Sequence, residues 1–183
     1  MTFEYESKIY LGEVALYVAD LARQRDFYQS VLGLELLEEQ DGQVALGRNG
    51  QALVRLLATS DPQIVKSAYG LYHLALLLPS RQALADILKH LSENKVPMVG
   101  GADHGYSEAI YLEDPEGNGI ELYRDKPQDD WDIREDGRII GVTEALAAQE
   151  IYELGQEVQP FSIAKGTRMG HVHLSCLLYT SPS

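Results

Sequence analysis

The feature that most constrains this chain of 183 residues is an internal repeat of one strand, one helix and three short strands. Residues 11–18 (LGEVALYV) and 71–78 (LYHLALLL) are both strand-like, and each leads into a segment with the apolar spacing of a helix. Short strand-like stretches separated by turn residues follow each helix. The repeat therefore predicts two tandem βαβββ modules, at residues 11–58 and 71–125.

Capping and turn residues mark the boundaries inside each module. Asp20 and Ser80 stand where the N-caps of the two helices are expected, and Gly33 stands where the first helix ends. The run 114–118 (DPEGN) predicts a tight turn between the last two strands of the second module. We therefore predict an α+β domain over residues 7–126, in which the tandem modules form a curled mixed sheet with the helices on its outer face.

The repeat starts a third time near the end of the sequence, where GHVHLS matches GEVALY of residues 12–17. Residues 127–168 are predicted to form a linker that contains a helix at residues 143–154. Residues 169–175 are predicted to be the first strand of a truncated second domain. The repeat breaks off after that strand, which indicates that residues 176–183 are not native sequence. A natural frayed tail is the alternative.

Charge and composition exclude several classes of function. The formal net charge of −13 argues against nucleic acid and anionic membranes as partners. A single cysteine, Cys176, rules out a disulfide framework and a cysteine-based zinc site. The sequence has no signal-peptide pattern, no apolar run of about 20 residues and no nucleotide-binding or nucleophile-elbow motif. We therefore expect a cytoplasmic protein with small-molecule partners, and a homo-oligomer is compatible with the same composition.

Strand alternation places a small set of polar residues on the concave side of the predicted sheet. Glu13 and His73 point away from the aliphatic residues of their strands, and Glu121 does the same on the strand that closes the second module. One imidazole and two carboxylates in a cavity are a feasible ligand set for Fe(II), Mn(II), Ni(II) or Zn(II). Arg55 is expected on the same side, so a charge-paired interior without a metal is an alternative interpretation.

The third repeat adds two histidines to this pattern. His171 is the equivalent of His73, and His173 shares its face of the strand. One of the two is predicted to be a metal ligand, and the other to support a ligand or to face the substrate. His104 is predicted to be a solvated loop residue, although its position also allows it to reach the cavity mouth. His90 is predicted to be exposed on a helix.

Four segments of the sequence resemble the bacterial catechol-2,3-dioxygenase branch of the vicinal oxygen chelate superfamily. They are residues 27–36 (FYQSVLGLEL), 71–81 (LYHLALLLPSR), 103–127 (DHGYSEAIYLEDPEGNGIELYRDKP) and 169–175 (MGHVHLS). The resemblance covers nearly all of residues 7–175. It implies four βαβββ modules in two domains, with Fe(II) held in the C-terminal domain by two histidines and a glutamate.

The resemblance assigns His171 to the first histidine of that iron site and leaves the other two ligands without a counterpart in this chain. His73 and Glu121 match the same positions of the N-terminal domain, which usually carries no catalytic metal, and Glu13 replaces a histidine there. The implied function is that of an Fe(II)-dependent extradiol dioxygenase, which cleaves catechol-like aromatics with O₂. Because two ligands are missing, the chain alone is expected to be inactive.

Two other functions stay open at this point. A divalent ion held by the imidazole and the two carboxylates of the predicted cavity would suit a glyoxalase-like isomerase or lyase. A small-molecule binding domain without catalysis would instead use a cavity lined by Tyr17, Tyr123 and Arg55. Metal content separates these two alternatives, because only the first requires a bound ion.

Overall fold

The computed structural model describes residues 10–61 and 69–175 and contains both predicted modules. The first module consists of β1 (Val14–Val18), α1 (Leu21–Ser30), β2 (Glu35–Gln40), β3 (Gln43–Arg48) and β4 (Gln51–Ala58). The second consists of β5 (Gly70–Leu77), α2 (Arg81–Glu93), β6 (Met98–Asp103), β7 (Ser107–Glu113) and β8 (Gly119–Asp125). The order of elements is βαβββ in both modules, which confirms the predicted fold class.

Each module forms its own mixed sheet. The strand order of the first sheet is β1-β4-β3-β2, with β1 parallel to β4 and the other neighbours antiparallel. The second sheet repeats this order as β5-β8-β7-β6 and is extended at its two edges by β10 (Arg168–Ser175) and β9 (Glu144–Ala145). Two parallel strands need a crossover connection, and α1 and α2 belong to the crossovers of the two modules.

Local sequence explains where the helices begin and end. The Asp20 side chain accepts a hydrogen bond from the backbone N–H of Arg23 at 3.0 Å, and Ser80 accepts one from Ala83 at 3.1 Å. Gly33 follows α1 with a φ of 71°, a left-handed conformation that favours glycine. None of the helices in the described ranges is long and apolar enough to cross a bilayer.

The helices bury the aliphatic faces of both sheets in one continuous core. The strand residues of this core include Leu16, Val18, Leu74, Leu76, Ile120 and Leu122, and α2 contributes Leu84, Ile87, Leu88 and Leu91. Each fully buried aliphatic side chain contributes roughly 1.5–3 kcal/mol relative to an exposed one. This burial determines which face of each strand packs under the helices, so the alternate residues face the concave side.

The segment between the second module and β10 packs onto both modules. The predicted helix at residues 143–154 is too long, because residues 144–145 form β9 on the edge of β6 and the helix α3 spans only Ala148–Leu154. Ile151 and Ile163 are fully buried, and the Ile163 N–H donates to the carbonyl of Gly33 at 3.0 Å. The segment is therefore held by the modules through burial and backbone hydrogen bonding.

The predicted strand at residues 169–175 lies within β10 and pairs antiparallel with β5. It thereby becomes an edge strand of the sheet of the second module. The prediction about residues 176–183 falls outside the described residues.

The structure contradicts the prediction that His90 is exposed. Its ring is half-buried and stacks on Phe161, with ring centroids 4.0 Å apart and planes inclined by 8°. Burial lowers the pKa of His90, although backbone carbonyls of Ser30 and Val31 oppose this. The neighbouring Lys89 indicated a solvated helix face, but Phe161, from a later segment of the chain, covers the His90 ring.

Candidate metal centre

Three neighbouring strands, β8, β5 and β10, present polar residues on the same concave face. Their register aligns Glu121 with Ala75 and Ala75 with His171. His73 lies two residues before Ala75 and therefore points to the same side. The small side chain of Ala75 leaves room above it, so the longer side chains on the flanking strands meet across it.

The ligand-type atoms of His73, Glu121 and His171 converge on one point. Glu121 Oε2 lies 2.9 Å from His73 Nε2 and 3.1 Å from His171 Nε2, and the two nitrogens are 3.4 Å apart. Ligand atoms held at right angles about 2.1 Å from a single ion are about 3 Å from one another. The three residues therefore fit the set of two histidines and one carboxylate that holds a divalent transition-metal ion.

Burial and charge favour the metal-binding form of His73. The side chains of His73 and Glu121 are 9% and 5% exposed, whereas that of His171 is 43% exposed. Burial lowers the pKa of His73, Glu121 opposes this shift, and His171 and His173 add to it. A histidine whose pKa is lowered stays neutral and keeps the nitrogen lone pair that binds a metal. The exposed side of the group, at His171, leaves it accessible to a small molecule.

A hydrogen-bond chain supports Glu121 from behind. The Tyr111 hydroxyl lies 3.3 Å from Glu121 Oε1 and 2.9 Å from His104 Nε2. Burial and then the charge of Glu121 raise the pKa of Tyr111 far above its ordinary value, so its hydroxyl stays protonated. His104 Nδ1 lies 3.1 Å from the carbonyl oxygen of Val142, which can only accept, so this nitrogen carries a hydrogen. His104 thus lines the cavity, which was the alternative to a solvated loop residue.

The structure does not bring Glu13 to the other predicted ligands. Glu13 precedes β1, in the sheet of the first module, where its carboxylate lies 2.8 Å from Arg55 Nε. Arg55 also lies 3.3 Å from the Glu38 carboxylate. Glu13 and His73 are equivalent in the repeat, but the two modules form separate sheets, so equivalence does not make them neighbours. For Glu13 the charge-paired alternative describes the geometry.

The two histidines of the third repeat occupy different places. His171 joins the converging group, whereas the exposed His173 packs edge-on against the rings of His73 and Tyr72, with ring centroids 4.9 Å apart in both pairs. His173 is therefore placed to hold the His73 ring in position and to face the cavity.

A cavity of about 2050 Å³ opens over this group. Part of its lining has little or no side chain, at Gly100, Ala102 and Gly119, which leaves space beside Glu121. Tyr17 and Tyr123 line the cavity, as expected for a small-molecule binding domain, but Arg55 is not among its lining residues. Aromatic and histidine side chains supply other parts of the wall, at Tyr72, His104, Tyr106, Tyr111, Trp131 and His173. Such walls suit a flat aromatic ligand.

Comparison with known proteins points to one superfamily. The sequence profile of the Glyoxalase/Bleomycin resistance protein/Dioxygenase superfamily matches residues 10–122. A catechol-2,3-dioxygenase of Bacillus subtilis (strain 168) is 34% identical over 168 residues, which cover 90% of this chain and 59% of that protein. The chain therefore spans less than two thirds of the length of this relative.

Two further proteins extend the comparison. A lactoylglutathione lyase of Neisseria meningitidis serogroup A is 30% identical over 128 residues, which cover 63% of this chain and 90% of that protein. The crystal structure of a glyoxalase/dioxygenase from Nostoc punctiforme superposes with a TM-score of 0.54 and 22% identity, covering 69% of this chain and 98% of that chain. At this identity the superposition supports the fold alone.

Proposed function

This chain belongs to the glyoxalase, bleomycin resistance protein and dioxygenase superfamily, and on that premise we propose that His73, Glu121 and His171 hold one Fe(II) ion for the extradiol cleavage of catechol-like aromatics by O₂. The observation that carries the proposal is the convergence of two imidazole nitrogens and one carboxylate oxygen beneath an aromatic-lined cavity. A bound Fe(II) would offer adjacent open positions for both catechol oxygens and for O₂. The catechol-2,3-dioxygenase similarity supports the same reaction.

The chain's own residues hold the carboxylate of the proposed metal group in position. The Tyr111 hydroxyl donates to Glu121 Oε1 at 3.3 Å and lies 2.9 Å from His104 Nε2. His104 Nδ1 in turn faces the carbonyl of Val142, so Tyr111 and His104 form one chain of polar groups in the cavity wall. This chain would orient Glu121 while a catechol hydroxyl loses its proton in the cavity.

Ring cleavage tests the proposal directly. The purified chain is stripped of metal, loaded with Fe(II) without oxygen, and then mixed with catechol and air. We expect yellow ring-opened product and uptake of one O₂ per catechol, both of which His171→Ala abolishes. The sequence predicted an inactive chain; activity instead requires that His73 and Glu121 supply the two ligands that had no counterpart in that prediction. Stoichiometric Fe(II) binding without product would contradict the proposed reaction.

Replacing Tyr111 with phenylalanine is expected to lower the kcat of ring cleavage by roughly 10- to 100-fold, because it interrupts the chain from His104 to Glu121. Fe(II) content should fall less than kcat, since all three ligands remain. Tyr152→Phe is a matched control, because the Tyr152 hydroxyl donates to Glu93 on the surface at 3.3 Å. An unchanged kcat in Tyr111→Phe, or an equal loss in Tyr152→Phe, would exclude this role for Tyr111.

The similarity to lactoylglutathione lyases supports a second candidate reaction at the same three residues. In that case Mn(II), Ni(II) or Zn(II) takes the place of Fe(II), and the chain converts S-lactoylglutathione rather than catechol. The proposed ligand set is the same, because Glu13 lies in the other sheet. Metal-dependent turnover of S-lactoylglutathione without ring cleavage would favour this reaction. Catechol binding that persists in the presence of a chelator, without turnover of catechol or of S-lactoylglutathione, would favour a binding domain.

A further inference from the structure

The cavity continues along β8 beyond the metal group to a second carboxylate. Glu121, Tyr123 and Asp125 alternate on the concave side of β8, and all three line the cavity. Four residues of a strand span about 13 Å. The distance leaves room for an aromatic ring beside Glu121 and for a short side chain of that ring that extends toward Asp125.

Asp125 differs from other acidic side chains of this module because it lacks a close partner. Asp103 receives hydrogen bonds from Lys126 Nζ, and Glu108 receives one from Arg124 Nε at 2.8 Å. Within residues 10–61 and 69–175, no hydrogen bond or ion pair reaches the Asp125 carboxylate. Burial raises the pKa of Asp125, and the more distant charges of Arg168 and His171 counteract part of that shift. A half-buried carboxylate of this kind is stabilised when a ligand brings a hydrogen-bonding cation to it.

Two aromatic rings of the cavity wall are held in a fixed arrangement at the end of β8, next to Lys126. The Tyr106 and Trp131 rings have centroids 6.1 Å apart and meet at 63°, and Tyr106 also stacks near His104 at 6.3 Å. The backbone of Lys126 holds both rings in place, because its N–H donates to the Tyr106 carbonyl at 2.8 Å and its carbonyl accepts from Trp131 Nε1 at 2.9 Å. A carboxylate in a cavity that also presents aromatic ring faces is a typical environment for an ammonium group.

We propose that Asp125, which lines the same end of the cavity as Tyr106 and Trp131, binds the ammonium group of a short alkylamine side chain on the aromatic substrate. The place of the ring rests on the proposed function, and the amine site is an addition to it. A neutral alkyl side chain leaves the Asp125 carboxylate unpaired, and an anionic side chain is repelled by it. The proposal therefore predicts an order of affinity in which amine exceeds alkyl and alkyl exceeds carboxylate.

The experiment compares catechols that carry an aminoethyl, an ethyl or a carboxymethyl group at the same ring position. Trp131 is the only tryptophan of the chain, so quenching of tryptophan fluorescence reports ligand binding at this end of the cavity. Binding is measured without metal and with Zn(II) added, so that no ring cleavage is needed. We expect aminoethylcatechol to bind roughly tenfold more tightly than ethylcatechol. Asp125→Asn, which keeps the shape of the side chain, should abolish the difference, and Asp129→Asn on the exposed surface should keep it.

The outcomes separate this inference from the proposed function. Equal affinities of aminoethylcatechol and ethylcatechol for the native chain would overturn the amine site, whether or not the ring is cleaved. An amine preference that persists in Asp125→Asn would overturn the role of Asp125. The expected preference without any ring cleavage by the Fe(II)-loaded chain would support the amine site and contradict the dioxygenase proposal.

Discussion

Replacing His171 with alanine is expected to weaken the binding of Fe(II) or Zn(II) by at least about 100-fold, because loss of a direct ligand exceeds the 10- to 100-fold effect of changing a residue behind a ligand. His171 Nε2 is one of three donor atoms that approach one another to 2.9–3.4 Å. Two remaining donors, His73 and Glu121, no longer surround an ion on three sides. His73→Ala should have an effect of the same size. Titration against a coloured competing chelator measures both affinities.

Glu13→Ala and His173→Ala are the controls for this prediction. Glu13 is paired with Arg55 in the other sheet, and His173 packs on the His73 ring without joining the converging group. Glu13→Ala should leave metal affinity unchanged, and His173→Ala should weaken it less than His171→Ala does. Metal binding that survives His171→Ala but disappears in Glu13→Ala would place the ligands as the sequence predicted and not as this structure does.

The fold was predictable because its signals are local. The capping residues Asp20 and Ser80, the aliphatic alternation of β1 and β5, and the turn at residues 114–118 each act within a few residues. The linker was less predictable, since residues 144–145 are extended because they pair with the edge strand β6. That pairing joins residues about forty positions apart, and no local sequence pattern predicts it.

Strand alternation predicts which residues of the candidate site face the cavity, whereas a long-range strand pairing brings them together. Alternation predicted that His73, Glu121 and His171 face the concave side, and it would have placed Tyr111 there too, since Tyr111 pairs with Glu121. It could not predict that β10 pairs with β5, which brings His171 to the other two residues. The repeat also suggested equal roles for Glu13 and His73. Separate sheets for the two modules remove that equivalence.

The position of His104 shows the limit of sequence reasoning for loops. His104 follows β6 directly, and a solvated histidine is the ordinary expectation for such a place. Its contacts with Tyr111 and with the Val142 carbonyl depend on how the segment after β8 returns over the loop. The residues that set this geometry lie nearly forty positions away.

Replacing Asp114 with alanine is expected to reduce the free energy of unfolding by about 3–5 kcal/mol, because one buried carboxylate holds the turn after β7 and a helix of the other module. Asp114 Oδ1 accepts from the backbone N–H groups of Glu116 and Asn118, each at 2.9 Å. Asp114 Oδ2 accepts from Asn118 Nδ2 at 2.8 Å and from the buried Tyr28 hydroxyl of α1 at 3.2 Å. Alanine leaves these donors without their acceptor, and Tyr28 has no access to water that could replace it.

Urea unfolding followed by circular dichroism measures this effect as a lower midpoint at an unchanged slope. Asp114→Asn keeps one acceptor oxygen and should reduce the free energy of unfolding by less than Asp114→Ala. Asp129→Ala, at an exposed aspartate, should stay within about 0.5 kcal/mol of the native chain. The losses of unfolding free energy from Tyr28→Phe and from Asp114→Ala should add up only if the two side chains do not interact. Because they share a hydrogen bond, the structure predicts a measurable coupling between them. A loss below about 1 kcal/mol in Asp114→Ala, or strict additivity with Tyr28→Phe, would mean that the Tyr28–Asp114 hydrogen bond does not stabilise the contact between the two modules.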